Sequence, residues 1–92
     1  MTEPSSTNRL PQDDAVAYEV AREALGQLVG YAASRIDQEA AKPTPDEVVL
    51  ATWRQRRDEW SATRAALDPY DTATVRTVLR DANQLLRSLP SA

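Results

Sequence analysis

The chain has 92 residues, a formal net charge of −3, and neither cysteine nor histidine. This length suits one small domain, and the missing side chains exclude disulfides, thiolate chemistry and the commonest general base and metal ligand. The acidic balance disfavours nucleic acid as a partner, because binding to a phosphate backbone relies on positive charge.

The composition predicts an all-α protein. Hydrophobic residues make up 41% of the chain, phenylalanine is absent and there are only two glycines, so the core must be built from alanine, leucine and valine. No apolar run approaches the ~18 residues that a membrane span needs, and the lack of cysteine fits the cytoplasm. Arginine supplies all the basic residues except Lys42. That bias indicates either a high-GC, bacterial genome or selection for the planar guanidinium group, which can bind an anion through two parallel hydrogen bonds.

Residues 1–10 are predicted to form a disordered tail, since they are polar. They also lack the apolar core that a secretory leader needs. The first helix is predicted over residues 11–41. Its apolar side is formed by Tyr18, Ala21, Leu25, Leu28, Ala32 and Ile36, and its polar side carries Glu19, Glu23 and Asp37. Gly26 and Gly30 also lie on the polar side, where they mark either a second interface or a soft point in a long helix.

A second helix is predicted over residues 45–67, after the break KPTPDE. Thr44 suits the N-cap, Pro45 the first helical position, and Glu47 completes a capping box. Val49, Trp53, Trp60 and Leu67 form one stripe, with Arg57 and Arg64 in the same arc and Arg56 on its flank. A second candidate packing face consists of small side chains: Val48, Ala51, Ala62, Ala65 and Ala66.

The stretch TWRQRRDEW, from Thr52 to Trp60, contains both tryptophans of the chain. One interpretation places the tryptophans in the core, with arginine stems lying over the rings and charged heads in water. A second presents Trp53, Arg56, Arg57, Trp60 and Arg64 outward, because tryptophan and arginine dominate interface hot spots. A third is an anion site within the bundle. All three remain open on the sequence alone.

The third helix is predicted over residues 69–89, with Asp68 or Asp71 of DPYD as its cap. Its apolar stripe consists of Val75, Val78, Leu79, Ala82, Leu85, Leu86 and Leu89. Its opposite face carries Arg76, Arg80 and Arg87 and no acidic residue. The short connections predict an antiparallel three-helix bundle over residues 11–90, with a long first helix.

No catalytic residue or cofactor is predicted, because no sequence motif places a general base beside a serine or threonine nucleophile. No metal site is predicted either, because Glu19 and Glu23 alone are a weak basis for a cation site. The outline of one long and two shorter helices resembles that of the all-helical chorismate mutases, in which basic residues hold a dicarboxylate. The resemblance would assign that role to Arg22, Arg35, Lys42 and Arg56. PDEVVL, however, lacks the arginine–glutamate pair that this family places at the start of its second helix.

The sequence therefore predicts a non-enzymatic protein–protein interaction module: a small accessory protein, an inhibitor or an antitoxin-like regulator. The partner-binding residues are predicted to be Trp53, Arg56, Arg57, Trp60, Arg64, Arg76, Arg80 and Arg87. A homodimer is also expected, in which the acidic face of the first helix meets the arginines of the third. The alternatives are a small enzyme that binds a dicarboxylate and a DNA-binding helix-turn-helix formed by the second and third helices.

Overall fold

The computed structural model describes residues 10–91, and this part of the chain is built from helices without any strand. The helices are α1 (Gln12–Ala40), α2 (Glu47–Ala66) and α3 (Thr72–Ser88). This confirms the predicted all-α, three-helix bundle, with each helix a few residues shorter than predicted. Residues 1–9, on which the predicted tail falls, lie outside the described part.

The long helix α1 is the spine of the fold. With 29 residues it extends about 44 Å at 1.5 Å per residue. The chain returns along it in α2 and runs forward along it again in α3. Both shorter helices pack on α1, but no Cα atom of α2 lies within 8 Å of one in α3. The two shorter helices therefore both pack on α1 but do not pack on each other.

The core consists of two clusters of buried side chains, most of which come from α1. One cluster of buried residues consists of Ala17, Ala21, Leu67 and Val75, and the next along the bundle consists of Ala24, Leu25, Leu28 and Ala82. The predicted apolar side of α1 is therefore confirmed.

The start of α2 corrects the sequence prediction. The helix begins at Glu47, and Asp46 is its N-cap, accepting hydrogen bonds from the backbone N–H groups of Val48 at 2.9 Å and Val49 at 3.2 Å. Thr44 and Pro45 precede the helix. The predicted capping box over Thr44 and Glu47 was therefore wrong.

Replacing Asp46 by alanine should lower the free energy of unfolding by about 0.5–2 kcal/mol, the usual cost of losing an N-cap side chain. Thr44→Ala is the matched control and should change stability by less than ~0.5 kcal/mol, as exposed sites away from special features usually do. Urea unfolding followed by far-UV circular dichroism measures both. An equal loss in the two variants would contradict the assignment of the cap.

The third helix begins after Asp71, whose side chain accepts from the Thr74 N–H at 3.2 Å. Asp68 instead closes the preceding turn by accepting from the Tyr70 N–H at 2.9 Å. The apolar stripe of α3 is only partly covered, since Val75 and Ala82 are buried while Leu85 is 39% exposed. The predicted stripe is therefore buried at some positions and exposed at others, because α2 does not pack on α3.

The two glycines of α1 do not serve close packing inside the chain. Both are exposed. A Cβ atom placed at Gly30 would meet no atom within 4 Å, and one at Gly26 would meet only the Arg64 side chain at 3.8 Å. The idea that they mark a second interface stays a prediction.

Candidate functional site

An open groove runs between α2 and α3, with α1 as its floor. Leu25 and Leu28 form the floor and are almost fully buried. The walls are Trp60 and Thr63 of α2 and Val78, Asp81, Ala82 and Leu85 of α3. The groove encloses about 170 Å³, comparable with the ~150 Å³ apolar cavity that holds a benzene molecule. It can therefore accept one large apolar side chain.

Leu85 is a partly exposed lining residue of this groove. A second hollow of about 330 Å³ is lined by Asp81, Gln84, Leu85 and Ser88, and it shares Asp81 and Leu85 with the groove. Leu85 thus lines both an apolar hollow and a more polar one. A surface with this shape suits an elongated ligand with one apolar and one polar side.

The orientation of α2 decides which of its two predicted faces packs inward. Trp60 is half-buried against the cluster of Ala24, Leu25, Leu28 and Ala82. The small-residue face is exposed throughout, and Val48 on it is 74% accessible. The tryptophan face therefore packs on α1, but Trp60 also remains accessible as one wall of the groove.

Trp53 belongs to a separate cluster of aromatic and basic side chains. Its ring meets Tyr31 of α1 edge to face, with the ring centroids 5.5 Å apart and the planes at 64°. Two guanidinium carbons lie over the indole, that of Arg35 at 5.4 Å and that of Arg56 at 5.0 Å from the centroid. Such cation–π contacts fix an arginine on a ring while leaving its N–H groups available. Residues Tyr31, Arg35, Trp53 and Arg56 are called the Trp53 cluster below.

Glu39 is the buried acidic residue next to this cluster. Its Oε1 accepts a hydrogen bond from Lys42 Nζ at 2.8 Å, and its Oε2 accepts from the backbone N–H of Asp46 at 2.9 Å. The hydrogen bond from Lys42 and then that from Asp46 lower the pKa of Glu39, against the opposing effect of burial, with smaller contributions from the charges of Lys42 and Arg35. Glu39 thus ties the end of α1 to the start of α2. Sequence reasoning missed it.

The lowered pKa of Glu39 predicts a loss of stability in acid. The folded-state pKa lies below the ordinary value of 4.5, so the carboxylate contributes stability above that pH, and the contribution is lost as pH falls through the folded-state pKa. Unfolding free energies of the wild type and Glu39→Gln, measured by urea titration from pH 7 to pH 3, should therefore converge in acid. Lys42→Met should reduce this pH dependence. Parallel curves for wild type and Glu39→Gln would show that the carboxylate has no such role.

The predicted partner-binding residues do not form a single site. Trp53 and Arg56 lie in the Trp53 cluster and Trp60 in the groove, while most of the other arginines are engaged within the chain. Arg57 pairs with Asp58, Arg64 donates to the Arg22 carbonyl, Arg76 pairs with Asp14 and Arg80 pairs with Asp81. Arg87 is exposed and makes no ion pair within residues 10–91. Two of the three arginines on the polar face of α3, Arg76 and Arg80, therefore have an acidic partner within the chain. That this face binds a partner stays a prediction.

The residues suggested for binding a dicarboxylate are also separated. Arg22 lies over Tyr18 at 5.8 Å and Lys42 is bound to Glu39. Only Arg35 and Arg56 converge, on Trp53. The structure therefore unites two of the suggested basic side chains and leaves the others elsewhere.

Within residues 10–91, no group of three or more acidic side chains is placed to hold a metal ion. None of the described helices is long and apolar enough to cross a bilayer. Comparison with protein-family models, with curated proteins and with solved structures gives no match to this chain. Its function is therefore inferred from the groove and the Trp53 cluster.

Proposed function

We propose that this chain is a non-enzymatic protein–protein interaction module whose groove receives a helix of another protein. The open apolar groove between α2 and α3 carries this proposal. Leu85 lies on the same stripe as the buried Val75 and Ala82 but stays 39% exposed, as expected of a bundle that lacks one covering element. Docking of an amphipathic helix into an apolar groove between helices is a recurring mode of recognition.

The shape and charge of the groove define the helix that would fit. The hollow over Leu25 and Leu28 accepts one large apolar side chain. Arg56 is four residues before Trp60 on α2, hence on the same side of the helix, and it has no acidic partner within residues 10–91. The occupant is therefore an amphipathic helix with an apolar residue for the hollow and an acidic residue toward Arg56.

A second copy of this chain is the other candidate occupant. Val16 and Val20 on α1 are 53% and 41% exposed, and the exposed Glu19 and Glu23 lie beside them. This stripe has the apolar and acidic character that the groove requires. Self-association through it would be favoured by charge and weakened by salt.

In either case the chain would act by occupying a partner surface, as an accessory protein, an inhibitor or an antitoxin-like regulator does. The absence of cysteine supports a place in the reducing cytoplasm.

The test compares two variants that each add one charge to an exposed apolar position. Leu85→Asp changes the rim of the groove, and Val48→Asp changes the outer face of α2, which is more exposed than Leu85. Tagged wild type and both variants are expressed in the source cells and purified, and the stoichiometry of retained proteins is measured. A photo-crosslinking residue at position 85, with position 62 as control, then identifies the segment that touches the groove.

The proposal expects a stoichiometric protein that is retained by the wild type and Val48→Asp, lost from Leu85→Asp, and crosslinked through an amphipathic segment at position 85 alone. Crosslinks between copies, with a mass by light scattering above that of one chain, would instead support self-association. Retention that survives Leu85→Asp, or no crosslink at position 85, would overturn the groove as the binding site.

A further inference from the structure

We infer that Arg35 and Arg56, held on the ring of Trp53, form a binding site for a carboxylate group. Their guanidinium carbons lie 5.4 and 5.0 Å from the same indole centroid, and Arg35 also lies 5.9 Å from the ring of Tyr31. Three observations indicate a carboxylate as the ligand. The N–H donors of both arginines are free, the acids nearest in sequence hydrogen-bond to other groups, and the two positive charges lie at the same ring.

The N–H groups of both arginines are free. Within residues 10–91, neither guanidinium donates a hydrogen bond or makes an ion pair. Each guanidinium carries five N–H donors in a planar fork that matches the two oxygens of a carboxylate. Because the aromatic rings hold the guanidinium groups in place, less side-chain entropy is lost when an anion binds.

The acids nearest in sequence are already committed to other donors. Glu39 follows Arg35 by four residues, but its two oxygens accept from Lys42 and from the Asp46 backbone. Glu59 follows Arg56 by three residues and accepts from Gln55 Nε2 at 3.3 Å. Neither carboxylate therefore makes an ion pair with the arginine on its own helix, although the charge of Arg35 contributes to the lowered pKa of Glu39.

The two positive charges are close enough to repel each other. The ring distances place the two guanidinium carbons at most about 10 Å apart, within about one Debye length at 0.1 M ionic strength. A negative group from outside the chain would relieve that repulsion and satisfy the free N–H donors. A carboxylate does both, and its planar pair of oxygens is suited to the fork.

This inference shares Arg56 with the proposed function, which directs an acidic residue of the docked helix toward that side chain. Tyr31, Arg35 and Trp53 are not among the groove's lining residues, so the two proposals can be tested separately. A failed groove experiment would leave it standing, and its own failure would leave the groove intact.

The test is a titration of the ¹⁵N-labelled full chain with succinate, followed by the indole and arginine Nε–H signals in NMR spectra. Sodium chloride at matched ionic strength is titrated in parallel. The signals of Trp53, Arg35 and Arg56 should shift in a saturable manner, with a Kd on the order of millimolar. The indole signal of Trp60 serves as an internal reference and should stay in place.

Variants distinguish binding through the planar guanidinium groups from simple attraction between opposite charges. Arg35→Gln and Arg56→Gln should each weaken binding at least about fivefold, and Arg35→Lys should also weaken it because lysine keeps the charge but loses the fork. Arg57→Gln is the matched control on α2, since Arg57 is paired with Asp58, and it should bind as the wild type does. The rest of each spectrum reports whether the variant is folded.

Shifts that chloride reproduces, or that persist unchanged in Arg56→Gln, would overturn the carboxylate site. A tetraglutamate peptide in a parallel titration identifies the source of the carboxylate. Tighter binding of the peptide would support an acidic segment of a protein, and binding equal to that of succinate would support a small carboxylate.

Discussion

Replacing Leu28 by alanine should lower the free energy of unfolding by about 2–5 kcal/mol, through lost apolar burial and the cavity that remains. Leu28 has no exposed surface and belongs to the central cluster with Ala24, Leu25 and Ala82. A small domain has only about 5–15 kcal/mol of stability in total, so this loss is a large share of it. Urea unfolding followed by far-UV circular dichroism gives the free-energy difference.

Leu85→Ala is the matched control for this substitution, because the same atoms are removed from a side chain that is 39% exposed. The loss at Leu85 should be less than half of that at Leu28. The two leucines line the same groove, so the comparison separates the contribution to stability of a floor residue from that of a rim residue. Comparable losses would mean that Leu85 is covered in solution, which would point to self-association.

The apolar side of α1 could be predicted because the pattern of that helix alone determines it. Residues at three- and four-residue spacing must share one side of any helix. The two shorter helices pack on that side of α1 and not on each other. The buried Ala21, Leu25, Leu28 and Ala32 therefore follow from local sequence and from the count of helices.

The groove could not be predicted, because a helical pattern indicates which side is apolar but not whether a neighbour covers it. In the sequence, Leu85 is a member of the same stripe as Val75 and Ala82. Only the separation of α2 from α3 makes Leu85 a rim residue. The pairing of Arg76 with Asp14 was equally hidden, since it joins side chains from different helices.

The N-cap of α2 shows how a tertiary contact can override a local motif. Thr44, Pro45 and Glu47 satisfy the capping-box pattern, and Asp46 is also a suitable cap. The backbone N–H of Asp46 is bound by Glu39, which supplies from α1 the carboxylate that a capping box would take from within the helix. That contact selects Asp46 and delays the start of the helix to Glu47.

The stretch from Thr52 to Trp60 combines packing on α1 with partial exposure of both tryptophans. Trp53 and Trp60 both pack on α1 and are both only half-buried. Trp60 gives the groove a wall, while Trp53 holds Arg35 and Arg56. Each indole therefore contacts α1 with one part and remains accessible with another.

Replacing Ala21 by leucine should lower the free energy of unfolding by about 1–3 kcal/mol, the usual cost of forcing extra methylenes into a packed core. Ala21 has no exposed surface and lies among Ala17, Leu67 and Val75, where a larger side chain would push α2 and α3 off α1. In a domain of this size the change corresponds to a melting temperature lower by roughly 5–20 °C, which thermal unfolding by circular dichroism measures.

Ala62→Leu is the control for this last variant, because Ala62 is exposed on the outer face of α2 and leucine is nearly as good a helix former as alanine. Its melting temperature should stay within a few degrees of the wild type, about the shift that 0.5 kcal/mol produces in a domain of this size. A large loss at Ala21 alone would show that alanine on α1 sets the distance at which the shorter helices pack. If Ala21→Leu melted like the wild type, the shorter helices could move outward at little cost, and the width of the groove would not be fixed by the core.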